Sequence, residues 1–146
     1  MMNLYTIGFT QKTARQFFEL IKSNNIDIVV DIRLNNRSQL AGFSKGDDLE
    51  YFLSEICNCK YAHRDEFAPT KTLLDDYKKK NITWDDYIAT YIPLINKRNG
   101  VKNFIEQFGK HNNVCLLCSE ATPTQCHRRL FAEMVQEVFP VTIKHI

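Results

Sequence analysis

The run Ile26-Asp27-Ile28-Val29-Val30-Asp31-Ile32 constrains the fold more than any other stretch of the chain. It is almost continuously β-branched, which suits a pleated strand and disfavours a helix. Apolar side chains fall on both faces of such a strand, so both faces must be covered. That is the pattern of a strand inside a parallel sheet with helices on either side. The residues before it agree. Leu4-Tyr5-Thr6-Ile7-Gly8 reads as a first strand closed by a glycine. Thr13 and Gln16 have capping-box spacing, and Phe17, Leu20 and Ile21 follow at helical intervals up to Asn24-Asn25. Strand, helix and strand joined by short links make a βαβ unit.

The rest of the chain continues the alternation. Arg33 to Asp48, RLNNRSQLAGFSKGDD, is a polar loop, long for a compact domain and so a candidate for function. Leu49, Phe52, Leu53 and Ile56 mark an amphipathic helix, with Asp47 and Glu50 at capping spacing, and Cys59 to Ala62 reads as a short strand. Lys71 to Lys80 suggests a short helix. Thr83 caps another, with Trp84, Tyr87, Ile88, Tyr91, Ile92 and Ile95 on its apolar side and Pro93 expected to kink or interrupt it. Val101, Phe104, Ile105 and Phe108 form a further face, stopped by Gly109. Val114 to Cys118 is a fourth strand. A helix bearing Leu130, Phe131, Met134, Val135 and Val138 follows, Pro140 ends it, and Val141 to Ile146 is a last strand. The expectation is a single α/β domain over residues 1–146, with a mostly parallel sheet flanked by helices.

Composition narrows the setting. Hydrophobic residues are 44% and charged residues 25%, as in soluble globular proteins. The net charge of +2 neither demands nor excludes a nucleic-acid partner. Cysteines number five, an odd count, and no signal-peptide or membrane-spanning pattern is evident. Free thiols in a reducing cytoplasm, and no membrane partner, are therefore expected.

Ligands of an open parallel sheet bind at the carboxyl ends of its strands. Gly8, Asp31, Arg33, His63, Cys118 and Glu120 would all meet on that edge. The densest window is Val114 to Leu130, VCLLCSEATPTQCHRRL, with two thiols, an imidazole, a carboxylate and two guanidinium groups. Cys118 ends a strand and Cys126 opens a helix, whose N-terminus favours a thiolate. Either sulfur is a candidate nucleophile, His127 is a catalytic candidate that with Arg128 adds to the pull toward a thiolate, and Glu120 is a candidate general acid or base. Asp31 and Arg33 share a face at period two, so Asp31 can orient Arg33 toward an anion, with Arg128 as a second cation.

Each feature has a plainer alternative. Asp31–Arg33 can be a structural ion pair, and Glu120 can pair with Arg128 or cap a helix. The thiols can be packed core residues. Cys118, Cys126 and His127 could also ligate a metal, but their spacing lacks the usual C-x2-C pair, and no metal is assigned. A cysteine after a strand is similar to phosphatase and rhodanese loops, which cradle anions on backbone N–H groups. Here the interval to Arg128 exceeds a C-x5-R loop and Glu120 would repel a phosphate, which counts against phosphoryl chemistry. Cys57 and Cys59 lack a second pair for a zinc ribbon. A nucleic-acid surface is the competing expectation, built from Arg37, Ser38, Gln39, Lys45, Lys71 and Lys78 to Lys80.

Tyr5-Thr6-Ile7-Gly8, Val30-Asp31-Ile32-Arg33 and Leu117-Cys118-Ser119-Glu120 with Cys126-His127-Arg128 resemble, in that order, the DUF488 family. That family is named for its unknown function. The combined C-x-E and C-H-R pattern is the specific part, and the resemblance spans almost the whole chain. It implies a single α/β domain and supplies no reaction, substrate or cofactor. Phe9 and Thr10 stand where the family's T-I-G-H-S opening has His and Ser. The functional expectation therefore rests on the residues. It is a pocket at the carboxyl edge for an anionic small molecule, its cofactor unspecified. Arg33 and Arg128 bind, Asp31 and Glu120 orient or move protons, and Cys118 or Cys126 attacks.

Overall fold

The computed structural model describes residues 1–37, 42–120 and 122–146. Five strands, β1 (Met2–Gly8), β2 (Ile28–Asp31), β3 (Lys60–His63), β4 (Asn113–Cys118) and β5 (Val141–His145), form one sheet in the order β3-β2-β4-β1-β5. Every pairing is parallel. All residues of β2 are buried, as its continuous apolar composition requires. β2 is shorter than the β-branched run because the preceding residues anchor neighbours instead. The Ile26 amide closes the end of the first helix on the Ile21 carbonyl. The Asp27 carboxylate accepts the Asn112 and Asn113 amides at 3.0 and 2.8 Å, which pins the start of β4 beside β2.

The helices are α1 (Ala14–Ser23), α2 (Gly46–Cys57), α3 (Lys71–Lys78), α4 (Trp84–Lys97), α5 (Gly100–Phe108) and α6 (His127–Val138). Thr13 and Gln16 form the expected capping box of α1. Two expectations are corrected. Asp47 and Glu50 do not cap α2, which starts at Gly46 with its amide 2.7 Å from the Asn36 carbonyl. Pro93 does not interrupt α4. Both Pro93 and Ala89, whose carbonyl the ring deprives of a partner, are exposed, so water can serve that carbonyl.

The period-two pattern sorts the core into two layers. Ile7, Val29, Cys115 and Leu117 meet Phe17, Phe18 and Ile21 of α1 and Leu49 and Leu53 of α2 on one face. Leu4, Val30, Val114 and Leu116 meet Tyr87, Tyr91, Phe104, Phe131 and Val135 of α4, α5 and α6 on the other. Each fully buried side chain of this kind contributes roughly 1.5–3 kcal/mol. Among the described residues, no helix is long and apolar enough to cross a membrane.

Candidate functional site

The two layers determine where a crevice opens. The chain leaves β2 toward α2 on one face, and leaves the adjacent β4 toward α6 on the opposite face. Connections that diverge from neighbouring parallel strands leave a gap at their carboxyl ends. A cleft of about 860 Å³ lies there, and Arg33, Cys118, Ser119, Glu120, Cys126 and His127 all border it. Lys71, Lys78 and Lys80 add positive charge to its wall, against the carboxylates of Asp75 and Glu120. Lys71 is engaged with Asp75 at 2.6 Å.

At the cleft floor, the Cys126 Sγ lies 3.1 Å from the Cys118 Sγ. Cys118 is the last residue of β4, and Cys126 is the N-cap of α6 with an extended backbone. Both are buried, free thiols. The Cys118 sulfur is 3.7 Å from Nδ1 and 3.9 Å from Nε2 of His127. The imidazole thus attracts the sulfur both by charge and by hydrogen bonding. His127 Nε2 is 2.8 Å from the Ile32 carbonyl. An N–H donated there fixes one ring nitrogen.

The hydrogen bond from Cys126 is the largest influence on Cys118, and His127 adds to it. Together they outweigh burial and hold the Cys118 thiol well below its ordinary pKa. The hydrogen that Cys126 gives to Cys118 pushes the Cys126 thiol far up, with burial acting in the same direction. Burial opposes a charge on His127, but the Cys118 thiolate and the Ile32 carbonyl raise its pKa nonetheless. A helix N-terminus by itself would favour a thiolate at Cys126. Here the hydrogen bond from Cys126 and the facing His127 favour the thiolate on Cys118 instead.

Cys118, Cys126 and His127 also present three soft donor atoms within 4.8 Å of one another. That donor set suits zinc. Two thiolates on one tetrahedral zinc, however, stand about 3.8 Å apart, given Zn–S bonds of roughly 2.3 Å. The 3.1 Å separation is tighter than that, a close approach of the Cys126 thiol to the Cys118 sulfur.

The second wall comes from the end of β2. Arg33 Nε and Nη2 donate to Asp31 Oδ1 and Oδ2 at 2.8 and 2.7 Å, a two-pronged ion pair. Nη2 also donates to the Ser44 carbonyl at 2.7 Å, and the Tyr61 hydroxyl donates to Asp31 at 2.5 Å. Asp31 is completely buried and Arg33 is 2% exposed. Burial opposes the Arg33 charge, but Asp31 more than restores it and raises its pKa. Removing one partner of such a pair costs about 3–5 kcal/mol. The Phe9 ring lies 5.3 Å from the guanidinium, so the phenylalanine at the family's histidine position packs on Arg33. Among the described residues, Arg33 Nη1 has no hydrogen-bond partner.

Arg128 is set apart from this group. It is fully buried and does not border the cleft. Its Nε reaches Thr6 Oγ1 at 3.3 Å, and its Nη1 donates to the Glu120 carbonyl. The expected Glu120–Arg128 contact thus runs through the backbone, while the Glu120 side chain is exposed. Gly8, paired in register with Cys118, lies beside this junction. A Cβ at Gly8 would overlap the Glu120 carbonyl and come within 2.7 Å of Arg128 Nη1.

Of the residues singled out from sequence, the fold gathers Cys118, Cys126, His127, Glu120 and Arg33 along one cleft, with Asp31 supporting Arg33. His63 lies nearby but hydrogen-bonds the Arg33 carbonyl at 2.7 Å. Sequence reasoning missed Tyr61, Phe9 and the Ser44 carbonyl. Tyr61 alone left a signal, as an aromatic on the strand next to Asp31. Ser38 and Gln39 of the expected basic surface lie outside the described residues. A family model described as "Domain of unknown function DUF488" matches residues 13–135. No curated protein and no solved structure matches the chain.

Proposed function

Because the chain belongs to the DUF488 family, whose description names no reaction, we propose from its side chains that it is a thiol-dependent enzyme acting on an anionic small molecule. One observation carries this reading. The Cys118 sulfur, 3.1 Å from the Cys126 sulfur and 3.7 Å from His127, borders a cleft that Arg33, Lys78 and Lys80 line together with Glu120 and the Lys71–Asp75 pair. Cys118 is the nucleophile. Cys126 and His127 keep it as a thiolate, the form that attacks. Arg33, aligned by Asp31, sets its positive charge in the cleft wall that faces the anionic group of the substrate. Glu120, exposed at the rim, exchanges protons with solvent. Arg128 fixes the loop between β4 and α6 from behind. The free thiols fit a reducing cytoplasm, where we place the protein.

Competitive alkylation tests this reading. Cys118 should react with iodoacetate faster than the buried Cys59 and Cys115, with peptide mapping to identify the site. The anionic reagent should outpace neutral iodoacetamide relative to a free thiol, and replacing both Lys78 and Lys80 by Gln should weaken that preference. A Cys118 that reacts no faster than Cys59 in the folded protein overturns the proposal.

A further inference from the structure

The same two sulfurs support a more specific chemistry, resting on the reading of Cys118 as a nucleophile. A disulfide bond is about 2.05 Å long, so the 3.1 Å between Cys118 and Cys126 leaves about 1 Å to close. Both thiols stand at the ends of regular elements. Cys118 is the final residue of β4, and Cys126 precedes the first turn of α6. Both border the cleft, so a substrate that reaches one sulfur is within reach of the other. The remaining cysteines differ. Cys59 and Cys115 are buried away from the cleft, and burial pushes the Cys59 thiol up to about 12 and Cys115 higher still.

We propose that Cys118 and Cys126 form a dithiol–disulfide couple that reduces an anionic, low-molecular-weight disulfide. The class of substrate follows from the cleft. Arg33, Lys78 and Lys80 favour a carboxylate-bearing disulfide over a neutral one. The Cys118 thiolate attacks one substrate sulfur, forming a mixed disulfide and breaking the substrate S–S bond. The first product thiolate leaves with the proton of His127, which has lost its ion-pair partner. The neutral imidazole then accepts the Cys126 proton. The ring and both sulfurs lie within 4.8 Å, so this transfer needs no large movement. The Cys126 sulfur attacks Cys118, closes the protein disulfide and expels the second product, which takes up that proton. Two electrons and two protons pass from the dithiol to two product thiols. The dithiol is restored by the reverse exchange with two equivalents of an external thiol, the co-substrate.

The experiment uses the full chain, reduced and then freed of reductant, mixed with glutathione disulfide or with neutral hydroxyethyl disulfide. Products are read by intact mass and peptide mapping. The wild type should end with a Cys118–Cys126 disulfide and both product thiols released. Cys126→Ser should stop at the mixed disulfide on Cys118, and Cys118→Ser should form neither. Glutathione disulfide should react about tenfold faster or more, through electrostatic steering. A wild type that stays at the mixed disulfide on Cys118 overturns the couple and leaves the nucleophile reading standing. Rapid alkylation of Cys118 without any disulfide exchange does the same. Stoichiometric zinc that blocks exchange and is lost in both serine variants replaces the couple with a metal site. A Cys118 inert to both alkylation and exchange overturns both proposals. The wild-type arm decides the matter even if a variant fails to fold.

Discussion

Cys126 directs its thiol at the Cys118 sulfur, and that hydrogen bond, with His127 beside it, favours the thiolate on Cys118. This choice has a measurable pH signature. The groups facing Cys118 are Cys126 and His127 of α6 and its cap, Tyr87 and Tyr91 of α4, and the Glu120 backbone. The tyrosines are buried and neutral, so the His127 cation and the Cys126 donor dominate. Because the folded pKa of Cys118 is depressed, alkylation should stay fast through neutral pH. It should fall only as pH drops through that lowered value, far below the ordinary thiol range of about 8.5. Cys126→Ala removes the largest stabilising influence, so the inflection should move to higher pH. An alkylation profile with its inflection at the ordinary thiol value would contradict the arrangement.

At the level of elements, the junction of β1, β4 and the loop into α6 is the tightest contact near the site. Gly8 and Cys118 are register partners, and the Glu120 carbonyl crosses where a Gly8 side chain would be. Its need for glycine is one of space, since Gly8 does not have a positive φ. Gly8→Ala should therefore destabilise the fold by roughly 1–3 kcal/mol, the usual cost of overpacking. It should also slow Cys118 alkylation, because the displaced loop carries Glu120. Gly42→Ala is the control. Among the described residues nothing lies within 4 Å of its added methyl, so the urea midpoint should stay unchanged. A Gly8→Ala protein with a wild-type midpoint would show that the loop yields freely.

For the whole molecule, the distribution of charge separates a small anionic substrate from a nucleic acid. Net charge is only +2, but Lys71, Lys78 and Lys80 gather beside the cleft. We propose the confined cleft over an extended nucleic-acid surface, because Arg33 is buried within the wall rather than displayed on it. A polyanion contacting several lysines would release counterions and bind with a steep salt dependence. Fluorescence anisotropy should accordingly detect no DNA or RNA binding at low salt. A strong, salt-sensitive affinity would favour the nucleic-acid alternative built on Arg37, Lys45 and the lysine-rich end of α3.

Local patterns were readable before any coordinates. β-branched runs announced the strands, apolar residues at helical intervals announced the helices, and Thr13 and Thr83 announced their caps. These signals depend on neighbours in the chain, as does the clustering of Cys118, Glu120, Cys126 and His127 between one strand and the next helix. Strand order did not follow from them, because pairing joins residues far apart in sequence. Only the insertion of β4 between β1 and β2 brings Arg33 beside Cys118 and seats Gly8 under Glu120. Tertiary packing also decided which sulfur carries the charge, that Asp31 and Arg33 form a buried pair, and that Arg128 turns away from the cleft. Each of these depends on distance and desolvation, which a linear pattern does not contain. The sequence determined which reactive groups the protein owns and the kind of sheet that carries them. The folded structure decided which of them meet.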